Sequence, residues 1–108
     1  MEQIALTEAV YYILLALNEP MHGYGIMQHT ESLSGGRVRL AAGTLYGALN
    51  TLMDKGWITA LPGDGASRKK EYQITPAGRR AVRSEIERLR ELLRNGEVLT
   101  EGWNDDQA

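Results

Sequence analysis

The sequence GTLYGALNTLMDKGWI, residues 43–58, predicts an amphipathic helix followed by the start of a strand. At about 100° per residue, four further apolar side chains fall within about 80° of Leu45 on one side of this helix. The opposite side is small and polar, and it has neither Lys nor Arg. Its residues are Gly43, Thr44, Tyr46, Gly47, Asn50, Thr51 and Asp54. We therefore expect a helix over residues 42–55 that packs by one face and leaves a slim polar face open.

Two helices and a very short strand are predicted before this segment. Apolar residues recur at helical spacing over residues 8–18, directly after Thr7, whose hydroxyl can cap the helix. A second helix is expected over residues 23–33. Val38 and Leu40 alternate with arginines, which predicts a short strand.

A β-hairpin and a last helix are predicted after it. Residues 57–61 and 71–74 have the composition and alternation of strands, and a Gly-rich loop joins them. A Thr-Pro pair then predicts the start of a helix over residues 76–95, which Gly96 would end. This order of elements is that of a winged helix-turn-helix with an added C-terminal helix. The predicted fold class is mainly α with a small β-hairpin (α+β).

The length of 108 residues fits one compact unit. We divide it into a winged helix-turn-helix DNA-binding domain, residues 1–75, and a C-terminal dimerisation helix with its tail, residues 76–108. No apolar run reaches the roughly 18 residues of a membrane span, and the N-terminus lacks the basic region of a signal peptide. Cysteine is absent, which suits a reducing compartment. A cytoplasmic protein that binds no membrane is expected.

The charge distribution favours a nucleic-acid partner, although the net charge is −2. Residues 1–36 have four acidic residues and no basic one, and residues 81–108 have seven acidic and four basic residues. Residues 37–80 have eight basic residues against three acidic ones. DNA binding needs a local positive surface rather than a basic total. Chance clustering of charges is the alternative explanation.

The polar face of helix 42–55 is a candidate DNA contact. The major groove, about 12 Å wide, admits a slim helix. Asn50 can pair with an adenine edge, and Thr44 and Tyr46 can contact phosphates or a thymine methyl group. For this face taken alone, an ordinary solvent-exposed face of a core helix is the alternative.

The hairpin loop, residues 62–70, is a candidate wing. Arg68, Lys69 and Lys70 are adjacent cations at its far end, and they suit a phosphate or minor-groove contact. A solvated turn is the alternative for such a loop in isolation. Because the loop follows a groove-sized helix, the cluster favours double-stranded DNA as the partner.

The last helix carries an apolar seam. Val82, Ile86, Leu89 and Leu93 are spaced by four, three and four residues, which is the heptad pattern of helix pairing. Packing against the first helix of the same chain is the alternative. Since a winged domain already has its own core, we expect the seam to form a homodimer interface.

Other kinds of site are weakly indicated. Tyr11, Tyr12 and Trp103 are candidates for the pocket of a small-molecule effector, although aromatic residues in a small domain more often form its core or an interface. His22 and His29 have no third metal ligand close in sequence, so neither a metal nor a cofactor is expected. The sequence has no P-loop, nucleophile-elbow or HExxH motif, and no enzyme activity is expected.

Three ordered motifs resemble the PadR-like family of bacterial regulators. They are HGYGIMQ at 22–28, the segment quoted above and RKKEYQITPAGRR at 68–80. With the flanking helices, the resemblance covers residues 5–95. It implies a homodimeric winged-helix repressor of the compact subgroup, with a single C-terminal dimerisation helix. The resemblance also implies the residues of the DNA-binding region, which are Tyr24, Gly43, Thr44, Tyr46, Asn50, Lys69 and Lys70.

Two positions depart from the family pattern. The family commonly has a serine ahead of its Gly-Thr pair, where this chain has Ala41 and Ala42, so a capping hydroxyl worth about 1 kcal/mol is missing. Some compact members hold flat aromatic drugs between paired tryptophans on the dimer helix. The matching position here is near Leu89, which does not support that arrangement. By the same resemblance, Tyr72 and Thr75 have structural roles.

Together these features predict a cytoplasmic homodimer that regulates transcription, as a repressor, by binding a palindromic operator through helix 42–55 and wing 62–70. Two other functions fit the same fold. One is a dimer that senses or binds a small molecule, and the other is a winged helix that contacts only proteins. The basic middle third of the chain favours the first function.

Overall fold

Four helices and one β-hairpin are formed in the described residues, 5–62 and 70–104, of a computed structural model. Their order confirms the predicted α+β winged-helix class. The elements are α1 (Glu8–Ala16), α2 (Gly23–Leu33), α3 (Ala42–Asp54), β1 (Ile58–Leu61), β2 (Glu71–Ile74) and α4 (Pro76–Leu99). The first and third helices end slightly earlier than predicted.

The apolar face of α3 lies at the centre of the core, as its periodicity predicted. Leu45 and Leu49 have no exposed surface, and Leu52 is 2% exposed. Buried residues from α1 to α4 surround them, namely Ile13, Leu14, Leu17, Ile26, Ile58, Tyr72, Ile74 and Val82. Full burial of one aliphatic side chain contributes about 1.5–3 kcal/mol. The core therefore holds α3 from one side and leaves its other side in solvent.

Local side chains cap three of the helices. Thr7 Oγ1 accepts a hydrogen bond from an N–H of the first turn of α1 at 3.1 Å, and Thr75 Oγ1 accepts one from the Gly78 N–H at 3.1 Å. Both caps confirm sequence predictions. His22 Nδ1 accepts a hydrogen bond from the Gly25 N–H at 3.3 Å and caps α2, which the sequence patterns did not indicate.

The strands β1 and β2 form a two-stranded antiparallel sheet. Its register pairs Ile58 with Ile74 and Leu61 with Glu71. Tyr72 of β2 also pairs with Met21, just before α2, through backbone hydrogen bonds of 2.9 and 3.1 Å. The hairpin is thereby tied to the start of α2.

The prediction of a short strand at Val38 and Leu40 was wrong. The Val38 N–H donates to Ser34 Oγ at 2.9 Å rather than to a neighbouring strand. The Val38 side chain is 8% exposed, whereas the adjacent arginines are exposed. The alternation therefore reflects the buried and exposed sides of an irregular segment.

Helix α4 is longer than predicted, because Gly96 lies inside it. The Gly96 carbonyl accepts hydrogen bonds from the Thr100 backbone N–H at 3.0 Å and from its hydroxyl at 2.7 Å. After the end of α4, it is Gly102 that has left-handed backbone geometry, with φ 83°. Every residue from 89 to 104 is exposed, so the second half of α4 projects from the domain.

A partly buried ion pair lies within α4, between Glu85 and Arg88 one turn apart. Glu85 is 4% exposed, and its carboxylate accepts two hydrogen bonds of 2.7 Å from Arg88. The Arg88 guanidinium holds the pKa of this carboxyl below its ordinary value, because its hydrogen bonds favour the charged form.

We expect Glu85→Gln to lower the free energy of unfolding at neutral pH by about 1–3 kcal/mol, because Arg88 loses its charged acceptor. In the wild-type protein, the Glu85 carboxylate contributes its full share to the free energy of unfolding above the ordinary pKa of glutamate. This share is lost as the pH falls through the lowered pKa of Glu85. Urea unfolding across the acidic range measures both effects. Glu91→Gln, at an exposed site of the same helix, is the control. Equal acid sensitivity of all three proteins would contradict this role of Glu85.

Candidate nucleic-acid interface

The polar face of α3 is open to solvent. Gly43, Thr44, Gly47 and Asn50 are all exposed. A Cβ at Gly43 or Gly47 would meet no atom within 4 Å, so packing within the chain does not require these glycines. Each costs about 0.8–1 kcal/mol of helix propensity relative to alanine. What they provide is a face slim enough for close approach to another surface.

The first turn of α3 has no side-chain cap. Ala41 stands at the N-cap position and makes no capping hydrogen bond, which confirms the missing hydroxyl. The N–H groups of this turn are left for solvent or for acceptors on a partner. Phosphate oxygens are acceptors of this kind.

The two tyrosines predicted at the interface have different surroundings. Tyr24 is 60% exposed, and its hydroxyl accepts a hydrogen bond from Gln28 Nε2 at 3.2 Å. Tyr46 is half exposed, and the end of its ring lies against Gly23. Tyr24 thus faces solvent, whereas Tyr46 is partly packed on α2.

The predicted wing is described only at its ends. Arg68 and Lys69 lie outside the described residues. Lys70 is exposed and directly precedes β2. The hairpin therefore carries a cation two residues before Tyr72, which is tied to the start of α2.

Two arginines before α3 pair with acidic residues of α1 and α2. Arg37 Nη2 lies 2.8 Å from Glu8 Oε2, and Arg39 Nε lies 3.1 Å from Glu31 Oε1. The charge count along the sequence did not show these pairs. All four side chains are exposed, and such pairs contribute about 0–1 kcal/mol. A phosphate can therefore replace either carboxylate at little cost.

The apolar seam of α4 has a buried half and an exposed half. Val82 is 8% exposed and belongs to the core of its own chain, and Ile86 packs against that core. Leu89 and Leu93 are 40% and 62% exposed. Val82 thus has little surface left for a partner. Leu99, which is 75% exposed, was missed because the helix was expected to end before it.

Among the described residues, two cavities lie beside α1. An open groove of about 550 Å³ runs between α1 and the first half of α4, where Arg79 and Arg83 contribute to its lining. A smaller cavity of about 260 Å³ lies between α1 and α3 and is lined in part by Lys55 and Trp57. The Lys55 ammonium stands 4.9 Å from the centroid of the Trp57 ring.

Neither cavity is lined by the residues predicted for an effector pocket. Tyr11 and Tyr12 are half buried and make an edge-to-face contact with ring centroids 5.8 Å apart. Trp103 is 75% exposed beyond the end of α4. The effector pocket stays a prediction.

Within residues 5–62 and 70–104, no group of three or more His, Cys, Asp or Glu side chains is placed to hold a metal ion. No helix in the same residues combines the length and hydropathy of a membrane span.

The sequence matches a known family model and a curated relative. The model of the "Transcriptional regulator PadR-like family" matches residues 13–84. A Streptomyces fradiae protein, named "Uncharacterized 37.1 kDa protein in transposon TN4556", is 37% identical over 86 residues. Those residues are 79% of this chain and 24% of that protein, so the chain spans about a quarter of the relative's length.

Solved structures share the fold. A PadR family transcriptional regulator from Eggerthella lenta is 28% identical, with a TM-score of 0.66 over 88% of this chain and 82% of that one. The Bacillus subtilis PadR in complex with operator DNA is 21% identical, with a TM-score of 0.61 over 72% of this chain and 45% of that one. At 21% identity, the second likeness shows the fold alone.

Proposed function

The chain belongs to the PadR-like family of transcriptional regulators, and we propose that it acts by placing the exposed face of α3 in the major groove of duplex DNA. The observation that carries this proposal is the face itself. It is slim and is held from behind by Leu45, Leu49 and Leu52. The operator complex of the Bacillus subtilis protein supports the same use of the fold. In this role the chain is a regulator and not an enzyme.

The second half of α4 joins two copies of the chain. Four of its exposed apolar residues lie on one side at helical spacing, namely Leu89, Leu92, Leu93 and Leu99, whereas Val98 lies on the other side. Gly96 lies on the same side, and a Cβ there would meet no atom of its own chain within 4 Å. This leaves room for the close approach of a second helix. Exposed apolar patches mark interaction sites, and a two-fold dimer covers the same patch on both subunits.

The groove between α1 and α4 offers a complementary surface to the second copy. Apolar side chains line it together with Arg79 and Arg83. Residues 91–101, which form the end of α4, its cap and the next residue, by contrast have three acidic residues and one basic residue. An antiparallel pair of α4 helices sets the acidic half of one against the basic groove of the other. Two-fold symmetry then repeats the contact.

The two-fold symmetry of this dimer determines the symmetry of the operator that we propose. Two α3 helices about 34 Å apart reach successive major grooves on one side of a duplex, and their symmetry requires a palindromic site. Residues 1–75 then serve DNA binding and residues 76–108 serve dimerisation. We place the protein in the cytoplasm as a repressor that blocks transcription by occupying its operator. A small-molecule effector that releases the DNA fits the same scheme.

Asn50→Ala tests whether α3 reads bases. If Asn50 makes a bidentate contact with an adenine, the variant should lose about 5- to 150-fold in affinity for the operator and keep its affinity for scrambled DNA. Lys70→Ala is the matched variant for a phosphate contact. It should weaken binding to every duplex and lower the slope of log affinity against log salt by about 1.

Titration of labelled operator and scrambled duplexes at several salt concentrations distinguishes these results. Equal losses of Asn50→Ala on both duplexes would assign Asn50 to the DNA backbone. A folded wild-type protein that binds no duplex even at low salt would contradict the proposed function. It would favour a winged helix that contacts other proteins.

A further inference from the structure

The ring of Tyr46 ends against the backbone of α2. Although Tyr46 belongs to α3, a Cβ built on Gly23 at the start of α2 would lie 2.5 Å from its Oη and 3.0 Å from its Cζ. Real Cβ atoms do not approach other atoms so closely. Gly23 is itself buried. The tyrosine therefore fills the space that any side chain at position 23 would need.

The β-hairpin is tied to the chain close to Gly23. Tyr72 of β2 is 7% exposed, and its backbone pairs with Met21, two residues before Gly23. Burial raises the pKa of the Tyr72 phenol, and the nearby phenol of Tyr46 raises it further. The backbone pairing of Tyr72 with Met21 thus ties the hairpin to the chain two residues before the Tyr46 contact.

We propose that Tyr46 is a positioning residue and not a DNA contact: its ring, seated on Gly23, fixes the orientation of α3 relative to α2, whose start is in turn tied to the hairpin through Met21 and Tyr72. The inference rests on the proposed function, in which α3 and the hairpin reach one duplex together. Tyr24, which faces solvent on the first turn of α2, is then the tyrosine available to DNA.

The physical need for such a contact follows from how α3 is held. Its buried leucines lie along one side and resist its removal from the core, but they resist a roll about the helix axis less well. A side contact through Tyr46 stops this roll. Base-reading hydrogen bonds need donor–acceptor distances of about 2.7–3.2 Å, so a small roll would take Asn50 out of reach.

Two substitutions at this one contact provide the test. Gly23→Ala pushes the end of the Tyr46 ring off its seat on α2 and, because the side contact is then lost, should lower affinity for the operator about tenfold or more. Adding Tyr46→Phe removes the 2.5 Å contact and leaves Cζ at 3.0 Å, which a shift of a few tenths of an ångström relieves, so the double variant should return to within about threefold of wild type. Tyr46→Phe alone should change affinity by less than about threefold. Gly25→Ala is the matched control, since its nearest Cβ neighbour would be Met21 Cβ at 3.6 Å.

A second readout needs no DNA. Backbone amide NMR shifts along α3 and β2 should move in Gly23→Ala, keep their positions in Gly25→Ala and return in the double variant. If Gly23→Ala does not fold, Tyr46→Leu replaces it as the test. Tyr46→Leu removes the ring without a clash, and it should shift the same amides and weaken operator binding while Tyr46→Phe does neither.

Two results would overturn the inference. In the first, Tyr46→Phe weakens operator binding as strongly as Asn50→Ala, which would make the tyrosine hydroxyl a DNA contact. In the second, Gly23→Ala, or Tyr46→Leu in its place, matches Gly25→Ala in both affinity and amide shifts. A wild-type protein that binds no DNA would contradict the proposed function instead, and the amide shifts would still decide the positioning role.

Discussion

Replacing Gly78 with alanine is expected to destabilise the fold at or above the upper end of the roughly 1–3 kcal/mol usual for overpacking. A Cβ at this position would collide with the Trp57 carbonyl oxygen and would lie 2.7 Å from Ile74 Cγ1. The carbonyl is backbone and cannot swing aside as a flexible side chain can. It also accepts a 2.9 Å hydrogen bond from the Thr75 N–H at the start of α4. The alanine would therefore push α4 away from the hairpin.

Urea unfolding at neutral pH measures this effect, with Gly47→Ala as the control. A Cβ at Gly47 would meet nothing within 4 Å, so that variant should gain up to about 1 kcal/mol from helix propensity. If Gly78→Ala were as stable as wild type, the close packing of α4 on the carbonyl of Trp57 would be disproved.

Leu93→Glu is expected to convert the protein to a folded monomer and to lower operator affinity by roughly 10²–10⁴-fold, the usual gain from linking two binding events. Leu93 is 62% exposed in the single chain, so the charge costs little before association. In the dimer the same carboxylate would be buried twice against an apolar surface, at a cost of several kcal/mol per charge. A single α3 helix then has too few contacts to hold the operator.

Val98→Glu is the matched control for this loss. Val98 is 60% exposed on the same helix, but five residues further on, and thus about 140° away around the helix axis. Light scattering and operator titration on the same samples should show a dimer with wild-type affinity for Val98→Glu. If Leu93→Glu remained a dimer while Val98→Glu became a monomer, the interface would lie on the other side of α4.

The local features of the fold could be predicted from the sequence, because they depend on residues close together in the chain. The buried side of α3 follows from the spacing of its leucines, and the caps at Thr7 and Thr75 follow from their own hydroxyls. The predicted strand at Val38 failed because alternation shows which side is buried and not which group receives the N–H. The predicted helix end at Gly96 failed because glycine also occurs inside helices.

Of the candidate DNA-binding site, only the exposed face of α3 could be predicted from the sequence. Periodicity placed Gly43, Gly47 and Asn50 on the polar side of α3, where the structure has them. The contact of Tyr46 with Gly23 could not be predicted, because it depends on how two helices cross. Its only trace in the sequence is the glycine itself, which stands where a helix start has no local need of one.

The most direct test of the central claim is selection of bound sequences from a pool of random duplex DNA by the wild-type protein. A dimer that reads DNA through two α3 helices should enrich a two-fold symmetric sequence, with half-site centres about 10 base pairs or a multiple of that apart. Asn50→Ala should enrich the same site less sharply. A protein shown to be folded and dimeric that enriches no sequence would contradict operator recognition by α3.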